Sequence, residues 1–223
     1  MGIAENIKQV KDELNAGVCL VAVSKTKPNE AIMEAYQVGQ RVFGENKVQE
    51  LVQKQRELPK DIEWHFIGHL QTNKVKYIAP FISLIHGVDS LKLLKTINKE
   101  GRKNNRKIPC LLQFHIAEEE SKFGLDQTEA NALLSSAEFA ALEFVELRGV
   151  MGMATYTDDQ EQLRKEFRLL KKHFQALKEQ YFQNQPSFSE ISMGMSGDYQ
   201  LAEKEGSTMV RVGSKIFGER VCH

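Results

Sequence analysis

Lys25 stands one residue beyond the most apolar run of the chain, Val18-Cys-Leu-Val-Ala-Val23. An ammonium at the end of a buried strand is partly desolvated, and Lys27 adds a like charge two residues on. Both effects favour the neutral amine, the nucleophile that forms a Schiff base with a carbonyl. Position alone favours the plainer reading, a solvent-pointing lysine at a strand end. Two later segments carry the residues of an anion site. In Gly194-Met-Ser-Gly197 two glycines flank a hydroxyl, with a helix expected from Gly197, and Arg211-Val-Gly-Ser214 repeats the arrangement. Backbone N–H groups at a helix start, with a serine hydroxyl, hold a phosphate. Two capped turns would use the same residue types.

Other candidates have bland readings beside them. Asn46 precedes Lys47-Val-Gln49, a spacing that resembles a capping box and is also compatible with a ligand contact. His65 and His69 are four apart and would share one face of a strand. No His-Glu-x-x-His pattern or carboxylate at matching spacing accompanies them, so a metal site is not expected. The acidic run Glu118–Glu120 reads as a solvated loop before a cation site. The chain contains no Gly-x-Gly, no Walker loop and no Gly-x-Ser-x-Gly, which removes the dinucleotide, nucleotide-phosphate and serine-hydrolase signatures.

Such residues act together only if the elements between them bring them together. Apolar, β-rich runs are expected as strands at Val18–Val23, Arg41–Phe43, Glu63–Ile67, Ile82–Gly87, Ile108–Ile116, Val145–Met151, Glu190–Met193 and Met209–Val212. Helical stretches fill the gaps, at about Pro28–Val38, Asn46–Glu57, Gln71–Ala79, Ser90–Lys103, Gln127–Ala137, Asp158–Tyr181 and Gly197–Glu205, with one more opening the chain at about Ile3–Leu14. A pitch of roughly 25 residues per strand–helix pair points to parallel βα units. Eight such units closing on themselves make a (β/α)8 TIM-like barrel, typically about 250 residues; an open doubly wound sheet is the alternative. In a barrel the functional residues lie at the C-terminal ends of the strands, with phosphate sites frequently after strands seven and eight. Both glycine–serine loops fall there. No Pro/Gly/Ser-rich linker divides the chain, so a single domain over residues 1–223 is expected, with Gln183–Ser189 as a loop.

Composition narrows the function classes. Thirty basic residues offset thirty acidic ones, which argues against a large nucleic-acid footprint. The longest apolar stretch, Ala16 to Val23, is far short of the about 20 residues of a membrane span, and no secretory signal opens the chain. Cys19, Cys110 and Cys222 are far apart with no Cys-x-x-Cys, as expected for reduced thiols in a cytoplasmic protein.

Several longer motifs occur in order: Val21-Ala-Val-Ser-Lys25-Thr-Lys-Pro28, Phe43-Gly-Glu-Asn46, Trp64-His-Phe-Ile-Gly-His-Leu-Gln71 with Asn73-Lys74, Glu119-Glu-Ser-Lys122, Leu147-Arg-Gly149, Ser192-Met-Gly-Met-Ser-Gly-Asp198, and Ser207-Thr-Met-Val-Arg-Val-Gly213 with Ile216-Phe-Gly218. Over nearly its whole length the chain resembles the pyridoxal phosphate homeostasis family, also called YggS/PROSC. The resemblance implies a barrel like the N-terminal domain of alanine racemase, and pyridoxal 5′-phosphate (PLP) held as an internal aldimine on Lys25. It further implies that Ser196, Gly197, Gly213 and Ser214 hold the phosphate, that Arg211 faces the pyridine nitrogen, that Asn46 lies beside the ring and that Met195 lines the pocket. His69 is a weaker carry-over. Gln113-Phe-His115, near strand five, departs from the family's pattern.

The implied roles are chemically consistent. An arginine against the pyridine nitrogen disfavours its protonation, because both would be cationic, and this weakens the ring as an electron sink. The resemblance implies a regulatory or carrier protein of PLP homeostasis, with PLP-dependent apo-enzymes as candidate recipients; a small PLP-dependent amino-acid racemase is the alternative. About ten residues follow the eighth strand, leaving no room for the second domain that supplies the related racemases with another base across a dimer interface. A non-enzymatic monomer is therefore the expectation.

Overall fold

Strand β1 (Cys19–Val23) is apolar at every position, and in the computed structural model both of its faces are covered. The model describes residues 2–118 and 123–219. Glu119 and Glu120 of the acidic run, Ser121, Lys122 and Cys222 lie outside the described residues.

The remaining strands are β2 (Val42–Glu45), β3 (Glu63–Phe66), β4 (Leu84–Val88), β5 (Ile108–Phe114), β6 (Val145–Gly152), β7 (Glu190–Ser192) and β8 (Met209–Val212). All pair in parallel, each with its sequence neighbour, and β8 returns to β1, closing the barrel. The closing register sets Val21 opposite Arg211 and Ala22 opposite Val212. The eight-stranded expectation holds, and an open sheet does not occur. Two apolar layers explain why neither face of β1 carries a polar residue. Leu20 and Ala22 belong to the large core between strands and helices. Val21 joins Leu84, Leu111, Met151 and Met209 in a separate cluster, whose members alternate along their strands with residues of the outer core and so fill the barrel interior.

The helices are α1 (Ile3–Glu13), α2 (Asn29–Gln37), α3 (Val48–Glu57), α4 (Val75–Ile78), α5 (Leu91–Lys103), α6 (Gln127–Leu134), α7 (Ala137–Ala140), α8 (Gln160–Tyr181), α9 (Tyr199–Lys204) and α10 (Ser214–Phe217). The expected opening helix is α1; it buries Ile7 and Val10 and is tied down by Asn6 Nδ2 donating to the Ile216 carbonyl at 2.9 Å. The loop 183–189 is anchored by Phe188, fully buried and stacked 4.1 Å from Phe182.

Boundaries differ from expectation where local polar groups intervene. The stretch expected as one helix over Gln127–Ala137 breaks at Ser136, whose hydroxyl accepts from the Phe139 amide and starts α7. The stretch over Gln71–Ala79 opens as a 3-10 turn (Thr72–Lys74) before α4. Asn46 does not cap α3: β2 continues to Glu45, so the cap falls on Lys47, with no side-chain bond. The helix expected from Gly197 starts instead at Tyr199, because Asp198 takes the cap position and turns its carboxylate back to the Met195 amide.

Candidate functional site

Neighbouring strand ends collect the candidates. In the order β7, β8, β1, β2, the segments that follow carry Met195–Gly197, Gly213–Ser214, Lys25 and Asn46, so residues far apart in sequence share one sector of the C-terminal mouth. Arg211 lies within β8 itself.

Lys25 sits half-buried in a turn just past β1. The turn is fixed on both sides. Ser24 donates its amide to the Gly44 carbonyl at 3.0 Å and its hydroxyl to Glu45 Oε1 at 2.6 Å, while the Thr26 amide donates to Glu50 Oε1 at 2.6 Å. Lys27 goes elsewhere: its ammonium donates to the carbonyls of Phe217, Gly218 and Glu219 and ties α10 to the β1 end.

The two glycine–serine loops are joined directly, since Ser196 Oγ accepts from the Gly213 amide at 3.0 Å. Gly194 takes φ 94°, a left-handed conformation that suits glycine, and its carbonyl accepts from the Arg211 amide. Among the described residues the amides of Ser196, Gly197 and Ser214 donate to no protein acceptor. A Cβ built on Gly197 would meet no protein atom within 4 Å. A pair of linked loops with undonated amides fits a phosphate. Asn46 reaches the mouth because Gly68 gives it room: a Cβ at Gly68 would stand 2.6 Å from the Asn46 carbonyl oxygen.

Arg211 is buried inside the barrel. Its Nη1 donates to Ser192 Oγ at 2.6 Å and its Nη2 to the Gly152 carbonyl at 3.0 Å. Burial draws its pKa down to about 10, so the guanidinium stays charged at neutral pH. Behind Ser192 lies a polar run that sequence reading missed. Ser192 Oγ is 2.9 Å from His86 Nδ1, and His86 Nε2 is 3.0 Å from His65 Nδ1. One direction of donation satisfies all of it: Arg211 to Ser192, the Ser192 hydroxyl to His86, and the His86 Nε2–H to His65. Burial pushes the His65 pKa down to about 3 and that of His86 well below the usual histidine value, so both rings are neutral. His86 stands two residues from interior-facing Leu84, a parity that marks it as inward once the barrel is known.

His65 and His69 do not share a strand face. β3 ends at Phe66, so His65 points into the buried run while His69 is in the following loop, 3.6 Å from Asp89 Oδ2 and stacked 4.4 Å from Phe123. Among the described residues no cluster of three metal-ligating side chains forms. Of the acidic run, Glu118 is described, with its amide bound to Thr155 Oγ1 and Glu166 Oε1. At the departure near strand five, buried Gln113 donates to the Phe123 carbonyl, and the Leu125 amide donates back to Gln113, so residues 123–125 lie alongside the end of β5.

The fold and the placement of these side chains define a class, barrels of the alanine racemase N-terminal type, and the family model "Alanine racemase, N-terminal domain" matches residues 2–221. Within that class the similarity is closer to one group. The pyridoxal phosphate homeostasis protein of Aquifex aeolicus is 40% identical over 90% of this chain and 86% of its own. That of Escherichia coli K12 is 37% identical over 98% and 97%. The chain belongs to this family, the pyridoxal phosphate homeostasis proteins. Among solved structures, PipY of Synechococcus elongatus with PLP bound is 36% identical, with a TM-score of 0.87 over 97% of this chain and 100% of that one. Alanine racemase of Clostridium difficile shares the fold at 14% identity, with a TM-score of 0.80 over 99% of this chain and 60% of its own.

Proposed function

We propose that the chain binds pyridoxal 5′-phosphate, anchored covalently through Lys25, and serves the intracellular homeostasis of that cofactor. The observation that carries the reading is the pair of joined loops whose Ser196, Gly197 and Ser214 amides lack protein acceptors among the described residues, at the same end of the barrel as Lys25. The loops hold the phosphate with Gly213 at their junction, Met195 and Asn46 flank the ring, and Arg211, charged and held by Ser192 and Gly152, faces the pyridine nitrogen. When bound, the cofactor supplies an aldehyde that condenses with an amine, releasing water, and a pyridine ring that withdraws electrons. A charged arginine beside that nitrogen opposes its protonation and restricts such withdrawal. The names of the relatives and the PLP in PipY support the same reading.

The reading extends to a cytoplasmic monomer that passes cofactor to PLP-dependent apo-enzymes. Cys19 and Cys110 are free thiols, and among the described residues no helix is long and apolar enough to cross a membrane. Borohydride reduction of the protein loaded with PLP, followed by peptide mapping, tests the anchor. The phosphopyridoxyl mass is expected on the peptide containing Lys25, and its absence there overturns the assignment. Incubation with L-alanine in deuterated water tests the absence of turnover: sustained Cα exchange with D-isomer formation would replace the homeostasis reading with a racemase.

A further inference from the structure

The backbone on both sides of Lys25 is gripped by a buried charge cluster from β2 and α3. Lys54 Nζ donates to the Ser24 carbonyl at 2.8 Å, to Glu45 Oε1 at 2.8 Å and to Glu50 Oε1 at 2.6 Å. The same two carboxylates take the Ser24 hydroxyl and the Thr26 amide. Beside the backbone bonds of Ser24 to Gly44 and Lys27, the described side chains that hold residues 24 and 26 therefore form one acid–base–acid triad. Its members are buried in proportion to their depth, with side-chain exposures of 0% for Glu45, 6% for Lys54 and 22% for Glu50.

Two features set this triad apart from an ordinary ion pair. The first is its poor internal balance. One ammonium serves two carboxylates, burial pushes the Glu45 carboxyl above its usual pKa range, and among the described residues Glu45 Oε2 has no partner. Buried ion pairs are weak sources of stability compared with apolar packing of the same volume, so a triad this incomplete is a costly way to join α3 to the barrel. The second is what it holds. Thr26 has φ 65°, the left-handed region that a β-branched residue avoids. Such strain persists only where the surroundings over-determine it, and it clusters at functional sites. The turn is closed by the Lys27 amide donating to the Ser24 carbonyl at 3.0 Å, and the Thr26 amide bond to Glu50 adds the restraint from outside the turn that over-determines it here.

We propose that Glu45, Lys54 and Glu50 are positioning residues for Lys25: they hold the 24–26 backbone in its left-handed turn and so set the direction in which the Lys25 side chain leaves β1. The proposal rests on the reading of Lys25 as the anchor. The triad acts before any ligand arrives, and its effect is on the rate at which the amine meets an aldehyde. Thr26 is the reporter, since glycine takes φ 65° without penalty and makes the grip less necessary.

The test uses Glu50→Ala, Glu50→Gln, Lys54→Met and the double variant Glu50→Ala with Thr26→Gly. Two quantities are read: deuterium uptake by the peptide spanning residues 24–27 in cofactor-free protein, and the rate of PLP attachment at Lys25, trapped by borohydride. Glu50→Ala is expected to speed uptake and to slow attachment about tenfold, the loss of one to two hydrogen bonds' worth of organisation. Glu50→Gln, which keeps an acceptor for the Thr26 amide, is expected to stay within threefold of the parent, and adding Thr26→Gly to Glu50→Ala to regain at least threefold. If Lys54→Met does not fold, the Glu50 series stands by itself, because Glu50 is the least buried member. A lowered thermal midpoint with unchanged uptake and unchanged attachment would make the triad a purely structural contact and overturn the proposal. Failure of the anchor reading shows separately, as no label on Lys25 in the parent protein, and the uptake measurement still decides the grip.

Discussion

Arg211 and Ser192 meet on adjacent strands, the Nη1 of the guanidinium donating to the serine hydroxyl at 2.6 Å inside the barrel. Only Ser192 and the Gly152 carbonyl accept from this buried cation among the described hydrogen bonds, so removing the serine leaves a desolvated charge with half its partners. Ser192→Ala is expected to lower unfolding free energy by about 2–3 kcal/mol, the cost of an unmet bond to a buried charged group. Ser192→Thr, which keeps the hydroxyl, should lose less than half of that. Urea unfolding of the two variants beside the parent measures both. Equal losses would show that shape, rather than the hydroxyl, matters at this position.

The neutral pair His65 and His86 makes stability depend on pH in a definite direction. Both have folded-state pKa values depressed by burial, that of His65 to about 3, while the unfolded chain binds a proton to each near pH 6.5. Below pH 6.5 the unfolded state holds more protons than the folded one, so stability is full at neutral pH and falls as pH drops, by at most about 1.4 kcal/mol per pH unit for each histidine. Thermal midpoints between pH 7 and pH 4 should fall more steeply in the parent than in a His65→Gln, His86→Gln double variant. Parallel slopes would show that the pair does not titrate on unfolding.

Legibility in the sequence followed how local each cause is. The place of Lys25 was readable because an unbroken apolar run announces a strand covered on both faces, and the residues just after it stand at the mouth of whatever closes around it; its role as an anchor was not, since position alone favours a solvent-pointing lysine. The loops at Gly194–Gly197 and Gly213–Ser214 were readable because glycine beside serine marks a turn with donors. The run from Arg211 to His65 was not, since His86 and Ser192 lie 106 residues apart and only barrel closure makes them neighbours. Short helices such as α7 and α10, of four residues each, carry barely one period of apolar pattern. The Asn46 cap failed for a local reason: nothing in Val42-Phe-Gly-Glu45 tells where the strand stops, and two more paired residues moved the cap to Lys47.

At Gly197 the proposed phosphate contact can be tested apart from folding. Its Cβ direction is open, so Gly197→Val should change the unfolding midpoint little while placing a side chain over the undonated amides. Affinity for pyridoxal 5′-phosphate is expected to fall at least tenfold, about 1.4 kcal/mol, and affinity for pyridoxal, which lacks the phosphate, to change much less. Absorbance titrations with both aldehydes decide it. An equal loss for the two would place the phosphate elsewhere.

Gly68 offers the opposite case, a glycine whose neighbour is rigid. A methyl there would stand 2.6 Å from the Asn46 carbonyl oxygen and 3.0 Å from its Cα, both backbone atoms that no rotamer change can move aside. Gly68→Ala must therefore displace the segment after β2, at an overpacking cost of about 1–3 kcal/mol. Because that segment carries Asn46 beside the proposed ring position, cofactor affinity should drop together with stability, whereas Asn46→Ala should lower affinity with less effect on folding. Paired denaturation and titration of the two variants distinguish backbone displacement from side-chain loss. A Gly68→Ala protein with parent-like affinity would show that the Asn46 segment tolerates the shift and that its placement against Gly68 does not govern binding.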